Sequence, residues 1–179
     1  MPATGDHEGE LDTEHDLSTA TLDTPIGAVG IVASPEGLRR VLLPGRRVPQ
    51  QHVARRGSAA AHAADTAAQL GEYLDGTRRV FEVPLDWGGV DERHRRVLET
   101  LVTAAPYGHT VTYGELGRLA GEPDAREIGV LMARNPIPLV VPCHRVVASD
   151  GLGGYGGGIE LKRTLLELEL VLLPQIGTG

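Results

Sequence analysis

The chain has 179 residues, a formal net charge of −7 and an apolar fraction of 41%, which is enough for a packed core. No apolar run is long enough to cross a bilayer, and the acidic N-terminus is unlike a signal peptide, so we expect a cytoplasmic protein without a membrane partner. The single cysteine, Cys143, excludes an internal disulfide and a multi-cysteine metal site, and an unpaired thiol is typical of a reducing compartment.

The negative charge is concentrated at the N-terminus. The first 16 residues contain no Lys or Arg, and they carry six acidic side chains: Asp6, Glu8, Glu10, Asp12, Glu14 and Asp16. Without these six, the acidic total falls from 24 to 18, against 17 basic residues. We therefore expect a disordered acidic tail over residues 1–17 in front of a nearly neutral body. The overall charge neither supports nor excludes a nucleic-acid partner.

The first half of the chain predicts an antiparallel sheet with one helix. Turn residues at 24–27 and 35–37 separate segments of strand character, and an alanine-rich stretch has helical periodicity. The predicted elements are strands at 19–22, 28–33 and 38–43, a loop at 44–58, a helix at 59–74 and a strand at 80–85. They define a small N-terminal α+β domain of residues 18–86.

The second half is predicted to be mostly helical, as a domain of residues 87–173 followed by a tail at 174–179. The predicted helices span residues 92–104, 112–120, 124–134 and 160–170. Thr112 with Glu115, and Asp124 with Glu127, have the spacing of capping boxes. The two short helices joined by a turn with Gly121 have the outline of a helix-turn-helix, although many such helical hairpins bind nothing.

Arg126 would lie in the first turn of the second of these helices, where the helix dipole disfavours a cation. It therefore gains nothing from the helix itself. An arginine at the leading end of a recognition helix could instead probe a groove or a stack of bases.

Cys143 lies beside His144, and the pair is flanked by Pro142 and Arg145. A neighbouring imidazole can accept the thiol proton, and nearby cations stabilise the thiolate, so this setting favours a nucleophile. The alternative is a small buried core cysteine beside a histidine held by a backbone carbonyl. Three prolines between residues 136 and 142 predict a stiff, extended segment that presents Cys143.

The glycine-rich stretch at 149–158 lacks the lysine and the strand-loop-helix order of a phosphate-binding loop. Its glycines would let backbone amides approach a flat ligand closely, while the alternative is a merely flexible loop.

Together these motifs are similar to a known family. The hexapeptide Pro142-Cys143-His144-Arg145-Val146-Val147 resembles the active-site signature of the O6-alkylguanine-DNA alkyltransferases, or methylated-DNA–protein-cysteine methyltransferases. The resemblance covers residues 19–172 in the right order. Its further motifs are Pro106-Tyr107-Gly108, Thr112-Tyr113-Gly114-Glu115-Leu116, Arg126 with Gly129, Asn135-Pro136-Ile137-Pro138, Gly151 to Gly158, Lys162, Leu165-Leu166 and Glu169.

The resemblance implies that the protein repairs double-stranded DNA by moving an alkyl group from O6-alkylguanine, and from O4-alkylthymine, to Cys143. His144 would act as a base through a water molecule, and Glu169 would orient it, as a carboxylate orients the histidine of a triad. Tyr113 would protonate or hydrogen-bond guanine N3. Asn135 would hold the turn before the active-site segment.

The same resemblance implies that the damaged base is flipped out through the minor groove and that Arg126 fills the space it leaves. Further DNA contacts would come from Thr112, Ala125, Gly129 and Arg134. Pocket walls and base-reading groups would come from Pro138, Val146, Tyr155 and Gly156. The thioether formed has no good leaving group, so each molecule would act once, as a monomer without cofactor or metal.

Three other interpretations remain open. An alkyltransferase-like protein would bind the lesion without removing it, but that class has another residue in place of the cysteine. A cysteine hydrolase would need a direct contact between Cys143 and His144, which is awkward if adjacent residues lie on a strand. A plain helix-turn-helix regulator would not need Cys143. The segment 93–96, Arg-His-Arg-Arg, departs from the family and leaves its local packing in doubt.

Overall fold

The computed structural model describes residues 17–48 and 57–170. The predicted acidic tail, apart from Leu17, the tail at 174–179 and the middle of the loop at 44–58 lie outside these residues. The elements are β1 (Ser18–Leu22), β2 (Val29–Ser34), β3 (Gly37–Leu42), α1 (Ser58–Leu74), α2 (Glu92–Ala104), β4 (Val111–Thr112), α3 (Tyr113–Ala120), α4 (Ala125–Ala133), β5 (Val146–Val147) and α5 (Ile159–Leu168).

The N-terminal half confirms the predicted sheet and helix. Strands β1, β2 and β3 form an antiparallel sheet in sequence order, with an irregularity in register between Val32 and Ala33. Helix α1 packs on this sheet through apolar side chains such as Ala63 and Leu70, which are buried because they recur on one helix face. The α+β class predicted from the sequence is confirmed.

The strand predicted at 80–85 is wrong. Only Leu85 pairs, through an isolated bridge to Leu38, whose amide donates to the Pro84 carbonyl at 2.8 Å. The outer edge of β3 is divided between two segments, because the Val41 amide donates to the Pro136 carbonyl at 2.9 Å. Neither the segment at Pro84 nor the one at Pro136 can therefore pair with the full length of β3. Pro84 also lacks an amide hydrogen with which to form a ladder hydrogen bond.

The second half contains the predicted helix-turn-helix, formed by α3 and α4. The capping box at α3 is present: the Glu115 amide donates to the Thr112 hydroxyl, and the Glu115 carboxylate accepts from the Thr112 amide at 2.9 Å. The box predicted at α4 is wrong. Asp124 does cap the helix, but it accepts from the Arg126 amide at 2.8 Å, and the Glu127 carboxylate lies 3.4 Å from Arg93 instead.

The turn between α3 and α4 depends on Gly117. The Glu122 amide donates to the Gly117 carbonyl at 2.7 Å, and a Cβ on Gly117 would lie 2.2 Å from the Glu122 carbonyl oxygen. Any side chain at 117 would push the turn away from α3. This close approach fixes where α4 begins and hence where its first residues point.

The extended segment predicted at 136–142 is wrong. The chain turns back on itself, with a hydrogen bond from the Val141 amide to the Ile137 carbonyl at 2.9 Å and Leu139 in the left-handed region at φ 73°. Prolines restrict φ, but the Asn135 side chain decides the path. Its amide donates to the Val141 carbonyl at 2.8 Å, and its carbonyl accepts from the Ile137 amide at 3.0 Å. A single 3₁₀ turn over Cys143–Arg145 follows.

One hydrophobic core runs through both halves of the described chain, from the sheet and α1 to α2, α3, α4 and α5. The short strands β4 and β5 pair in parallel next to the 3₁₀ turn. None of the described helices has the length and apolarity needed to span a membrane.

Candidate active site

Cys143 lies at the base of a cavity of about 470 Å³ and is only 7% exposed. The cavity is lined by Tyr113, the face of α4 and the glycine-rich loop, and its members are Tyr113, Ala125, Gly129, Met132, Ala133, Cys143, Gly154, Tyr155 and Gly156. The sulfur is therefore buried but reached from outside beside Tyr113. The volume of the cavity is in the range of pockets that bind small organic ligands.

The wall contributed by α4 carries three very small side chains beside Met132. Ala125, Gly129 and Ala133 are spaced by four residues and so share one helix face, and all three line the cavity. A Cβ added to Gly129 would meet no atom within 4 Å, so it would point into open space. This face allows a flat ligand to approach the helix backbone closely.

Behind Cys143, the His144 ring is fully buried and its Nε2 lies 2.7 Å from the Glu169 carboxylate. Because the Glu169 carboxylate can only accept a hydrogen bond, the ring proton lies on Nε2, and Nδ1 retains its lone pair. Nδ1 has no hydrogen-bond partner within the described ranges. Burial lowers the pKa of His144, so the ring is neutral at neutral pH and can accept a proton at Nδ1.

Glu169 is held from several sides. Arg145 donates to its two carboxylate oxygens at 2.8 and 3.0 Å, and the Gly108 amide donates to one of them at 3.4 Å. The Tyr73 hydroxyl donates to the oxygen that also faces His144, at 2.5 Å. Burial raises the pKa of Glu169, but the bonds from His144 and Arg145 outweigh it and hold the pKa at about 2. The carboxylate is therefore ionised in the folded protein.

The Cys143 thiol is not preactivated by its surroundings. Burial raises its pKa, and the side chain of Asn135 and the Lys162 ammonium offset this only in part. A neighbouring base must therefore remove the proton as the thiol reacts.

Lys162 connects the glycine-rich loop at 149–158, which we call the closing loop, to β5. Its buried ammonium donates to the carbonyls of Val146 at 2.6 Å and Gly154 at 3.1 Å, and also to the carbonyl of Leu152. Burial lowers the pKa of Lys162 to about 8. The Tyr113 hydroxyl donates to the same Gly154 carbonyl at 3.2 Å. The loop is thus fastened on both sides of the cavity.

The structure brings together most of the site residues predicted from the sequence, but not all at the cavity wall. Asn135, Arg134 and Pro138 line a second cavity of about 280 Å³, which also includes Cys143, Tyr155 and Gly156 in its lining. Val146 is buried in β5, and neither of these two cavities includes it in its lining. Thr112 caps α3.

Arg126 is exposed at the start of α4. Within residues 17–48 and 57–170, its guanidinium has neither an ion-pair nor a hydrogen-bond partner. Nothing in the described part of the chain holds this side chain away from a ligand.

Three contributors were missed by sequence reasoning. Tyr73 lies in the apolar pattern of α1, where it is indistinguishable from a core residue. Arg145 was noted as a neighbouring cation, but its contact with Glu169 depends on α5 packing beside the 3₁₀ turn. Lys162 was quoted only as part of the resemblance. No local sequence signal identifies these contacts, since they join residues 16 to 96 positions apart.

The departure at 93–96 has a structural explanation. Arg93 and Arg96 pair with Glu122 in the helix-turn-helix at 2.8 and 3.3 Å. The His94 ring is buried and lies 2.8 Å from the Leu131 carbonyl in α4. Helix α2 therefore supports α4 through polar contacts at this point.

Comparison with known proteins agrees with this architecture. Residues 92–171 match the family described as 6-O-methylguanine DNA methyltransferase, DNA binding domain. The methylated-DNA–protein-cysteine methyltransferase of Mycolicibacterium paratuberculosis is 41% identical over 154 residues, covering 83% of this chain and 90% of that protein. The enzyme of the same name from Methanothermobacter thermautotrophicus is 50% identical over 103 residues, which are 56% of this chain and 57% of that protein.

A solved structure shares the fold. The crystal structure of Mycobacterium tuberculosis OGT in complex with DNA superposes with a TM-score of 0.74 at 36% identity, covering 85% of this chain and 92% of that chain. The three-stranded sheet, its helix and the helix-turn-helix are thus arranged as in a protein that was crystallised with DNA. The chain belongs to the methylated-DNA–protein-cysteine methyltransferase family, whose members are DNA-repair methyltransferases.

Proposed function

We propose that the protein repairs double-stranded DNA by transferring the alkyl group of O6-alkylguanine, and of O4-alkylthymine, to Cys143 in a single irreversible turnover. The observation that carries this proposal is the position of Cys143. Its sulfur lies at the base of a cavity lined by α4, with the His144–Glu169 pair directly behind it. A nucleophile, a base and an opening towards a helix-turn-helix therefore meet at one point.

In the transfer, the Cys143 sulfur attacks the alkyl carbon and forms a C–S bond while the bond between carbon and O6 breaks. The electron pair of the broken bond remains on the guanine. The thiol proton passes through water to Nδ1 of His144, which is free to accept it. Glu169 stabilises the imidazolium that forms through its 2.7 Å contact with Nε2.

Tyr113 supplies the proton or hydrogen bond that lets the guanine leave as a neutral base. Burial raises the pKa of Tyr113, so its phenol remains protonated and can donate. Its hydroxyl reaches the Gly154 carbonyl at the cavity rim at 3.2 Å. Asn135 acts indirectly, because its two hydrogen bonds shape the turn that places Cys143.

An alkyl carbon within a duplex is out of reach of a buried sulfur, so the damaged base must leave the stack. We propose that α4 enters the minor groove, that the base passes along the small face of Ala125 and Gly129, and that Arg126 takes its place. The guanidinium of Arg126 is exposed and has no partner among residues 17–48 and 57–170, which supports this route. The room left by the small side chains of α4 supports it as well. Thr112, at the start of α3, and Arg134, at the end of α4, would contact the DNA backbone.

Because a thioether has no good leaving group, the product remains attached and no cofactor is required. The cavity, the His144–Glu169 pair and α4 all come from one chain, which supports action as a monomer. The halves 18–86 and 87–173 are proposed as two domains that share the site.

The direct test is the intact mass of the protein after incubation with duplex DNA containing O6-methylguanine. We expect a gain of one methylene equivalent on the peptide that contains Cys143, at one alkyl group per molecule. The variant Cys143→Ala should bind the DNA and gain no mass. Binding without mass gain in the unchanged protein would overturn transfer and favour the lesion-binding alternative.

A further inference from the structure

Tyr73 belongs to α1, in the half of the chain that precedes the helix-turn-helix, yet its hydroxyl reaches the His144–Glu169 pair. The side chain is completely buried. Its ring packs against Phe81 at a centroid distance of 5.3 Å and edge-on against Tyr107 at 6.3 Å. These contacts hold the ring in one place, and its hydroxyl therefore occupies a fixed position.

The hydroxyl lies 2.5 Å from Glu169 Oε1 and 3.3 Å from His144 Nε2. Glu169 Oε1 thus accepts from Tyr73, from His144 at 2.7 Å and from Arg145 at 3.0 Å. Because the phenol donates to Oε1, its oxygen lone pair is available to the Nε2 proton, which is shared between the two oxygens. Two oxygens, Glu169 Oε1 and the Tyr73 hydroxyl, therefore contact Nε2 and restrict the orientation of the imidazole ring.

We infer that Tyr73 is a positioning residue for alkyl transfer: it fixes the orientation of the His144 ring through Nε2 and lowers the basicity of the carboxylate that stabilises the imidazolium. This inference rests on the proposed function, in which His144 is the base. It assigns to α1 a part in the chemistry of the second half of the chain.

The electrostatic surroundings keep Tyr73 a donor. Burial and the nearby Glu169 carboxylate raise the pKa of Tyr73 far above its ordinary value, so the phenol retains its proton. The other titratable or charged groups around this pair are Arg145 on the 3₁₀ turn, Cys143, Tyr155 in the closing loop and Lys162 on α5. Of these, Arg145 also bonds directly to Glu169.

If Tyr73 only filled the core, any hydrogen-bond acceptor would satisfy its hydroxyl. Gln69, one turn earlier on α1, shows that alternative, because its carbonyl accepts from the Glu82 amide at 2.8 Å and stays away from the pair. Tyr73 instead shares the oxygen that faces His144. A core-filling role and a positioning role for Tyr73 therefore predict different pH dependences of alkyl transfer.

The test is Tyr73→Phe, which keeps the ring packing and removes only the hydroxyl. We would measure the rate of single-turnover transfer from O6-methylguanine duplex between pH 5 and 9. Loss of a donor to Oε1 makes Glu169 a stronger partner for the imidazolium, which raises the pKa of His144. The acid limb of the profile should therefore move to higher pH, and the maximal rate should fall about tenfold, as for loss of a group that orients a reacting one.

Tyr107→Phe is the matched control. Its hydroxyl donates to the Leu168 carbonyl at 3.2 Å and does not touch Glu169, so its pH profile should match that of the unchanged protein. The loss in Tyr73→Phe should be equal with duplex and with free O6-benzylguanine, because it concerns chemistry and not DNA binding.

A profile in Tyr73→Phe that overlays the unchanged protein would overturn the positioning role, and so would a loss confined to duplex DNA. If the unchanged protein itself transfers no alkyl group, the proposed function fails instead. The two failures are therefore distinguishable in one set of measurements.

Discussion

The groups behind Cys143 are buried and joined by hydrogen bonds, whereas the part of α4 that lines the cavity carries Ala125, Gly129 and Ala133 beside Met132, and the exposed Arg126 lies at the start of the helix. Glu169 accepts from four groups, while the Arg126 guanidinium has no partner in the part of the chain that the structure describes. Each arrangement suits its proposed task. Proton transfer needs fixed geometry, and an incoming DNA duplex needs unoccupied surface.

The contrast also separates stability from binding. A buried, paired charge becomes costly when its partner is removed, whereas a surface arginine can be removed with little effect on folding. Substitutions behind Cys143 should therefore change both stability and chemistry. Removal of an exposed side chain on α4, such as that of Arg126, should change DNA reactions alone.

The largest effect is expected from Glu169→Gln. It leaves the buried Arg145 guanidinium without its counter-charge, which should lower the free energy of unfolding by about 3–5 kcal/mol. Transfer should also nearly cease, because the imidazolium loses its stabilising carboxylate. Urea unfolding and single-turnover transfer measure the two effects, with the exposed neighbour Glu167→Gln as the control.

The same variant tests the pH dependence of stability. Glu169 has a pKa of about 2 in the folded protein, below the 4.5 of an ordinary glutamate, so its stabilisation is complete above about pH 4.5. It is lost as the pH falls from there towards 2. The stability gap between the unchanged protein and Glu169→Gln should narrow over that interval, and a constant gap would contradict the paired carboxylate.

An intermediate effect is expected from Arg126→Ala. Transfer from duplex DNA should slow about tenfold, because nothing replaces the flipped base, while reaction with free O6-benzylguanine should be nearly unchanged. Arg163→Ala, on α5, removes the same charge elsewhere and serves as the control. Equal losses on both substrates would place Arg126 outside the flipping step.

The smallest effect is expected from Gly129→Ala, which should raise the stability of the protein and slow alkyl transfer. Alanine in a helix interior is favoured over glycine by about 1 kcal/mol, so the variant should be more stable. The added methyl group points into the cavity, so transfer from duplex should slow several-fold. Gly71→Ala in α1 is the control, since it should gain stability without changing transfer. A faster reaction in Gly129→Ala would exclude the small face as the path of the base.

The elements predicted best were those with strong local signals. Helix α2 was predicted at its observed bounds, and the capping box at Thr112 is present as its spacing indicated. The predicted strand at 80–85 and extended segment at 136–142 failed for one reason. In both, alternating apolar residues or prolines indicated an extended chain, whereas the available hydrogen-bond partners were set by β3 and by Asn135.

The sequence by itself determined the order of the elements, the helix-turn-helix and the adjacency of Cys143 and His144, because these depend on residues close together in the chain. Only the tertiary structure decided that Tyr73 and Arg145 join His144 around the Glu169 carboxylate, and that Lys162 fastens the closing loop. Such contacts depend on the packing of α1 and α5 against the 3₁₀ turn. Packing of distant segments is a property of the whole core, and no short pattern of residues records it.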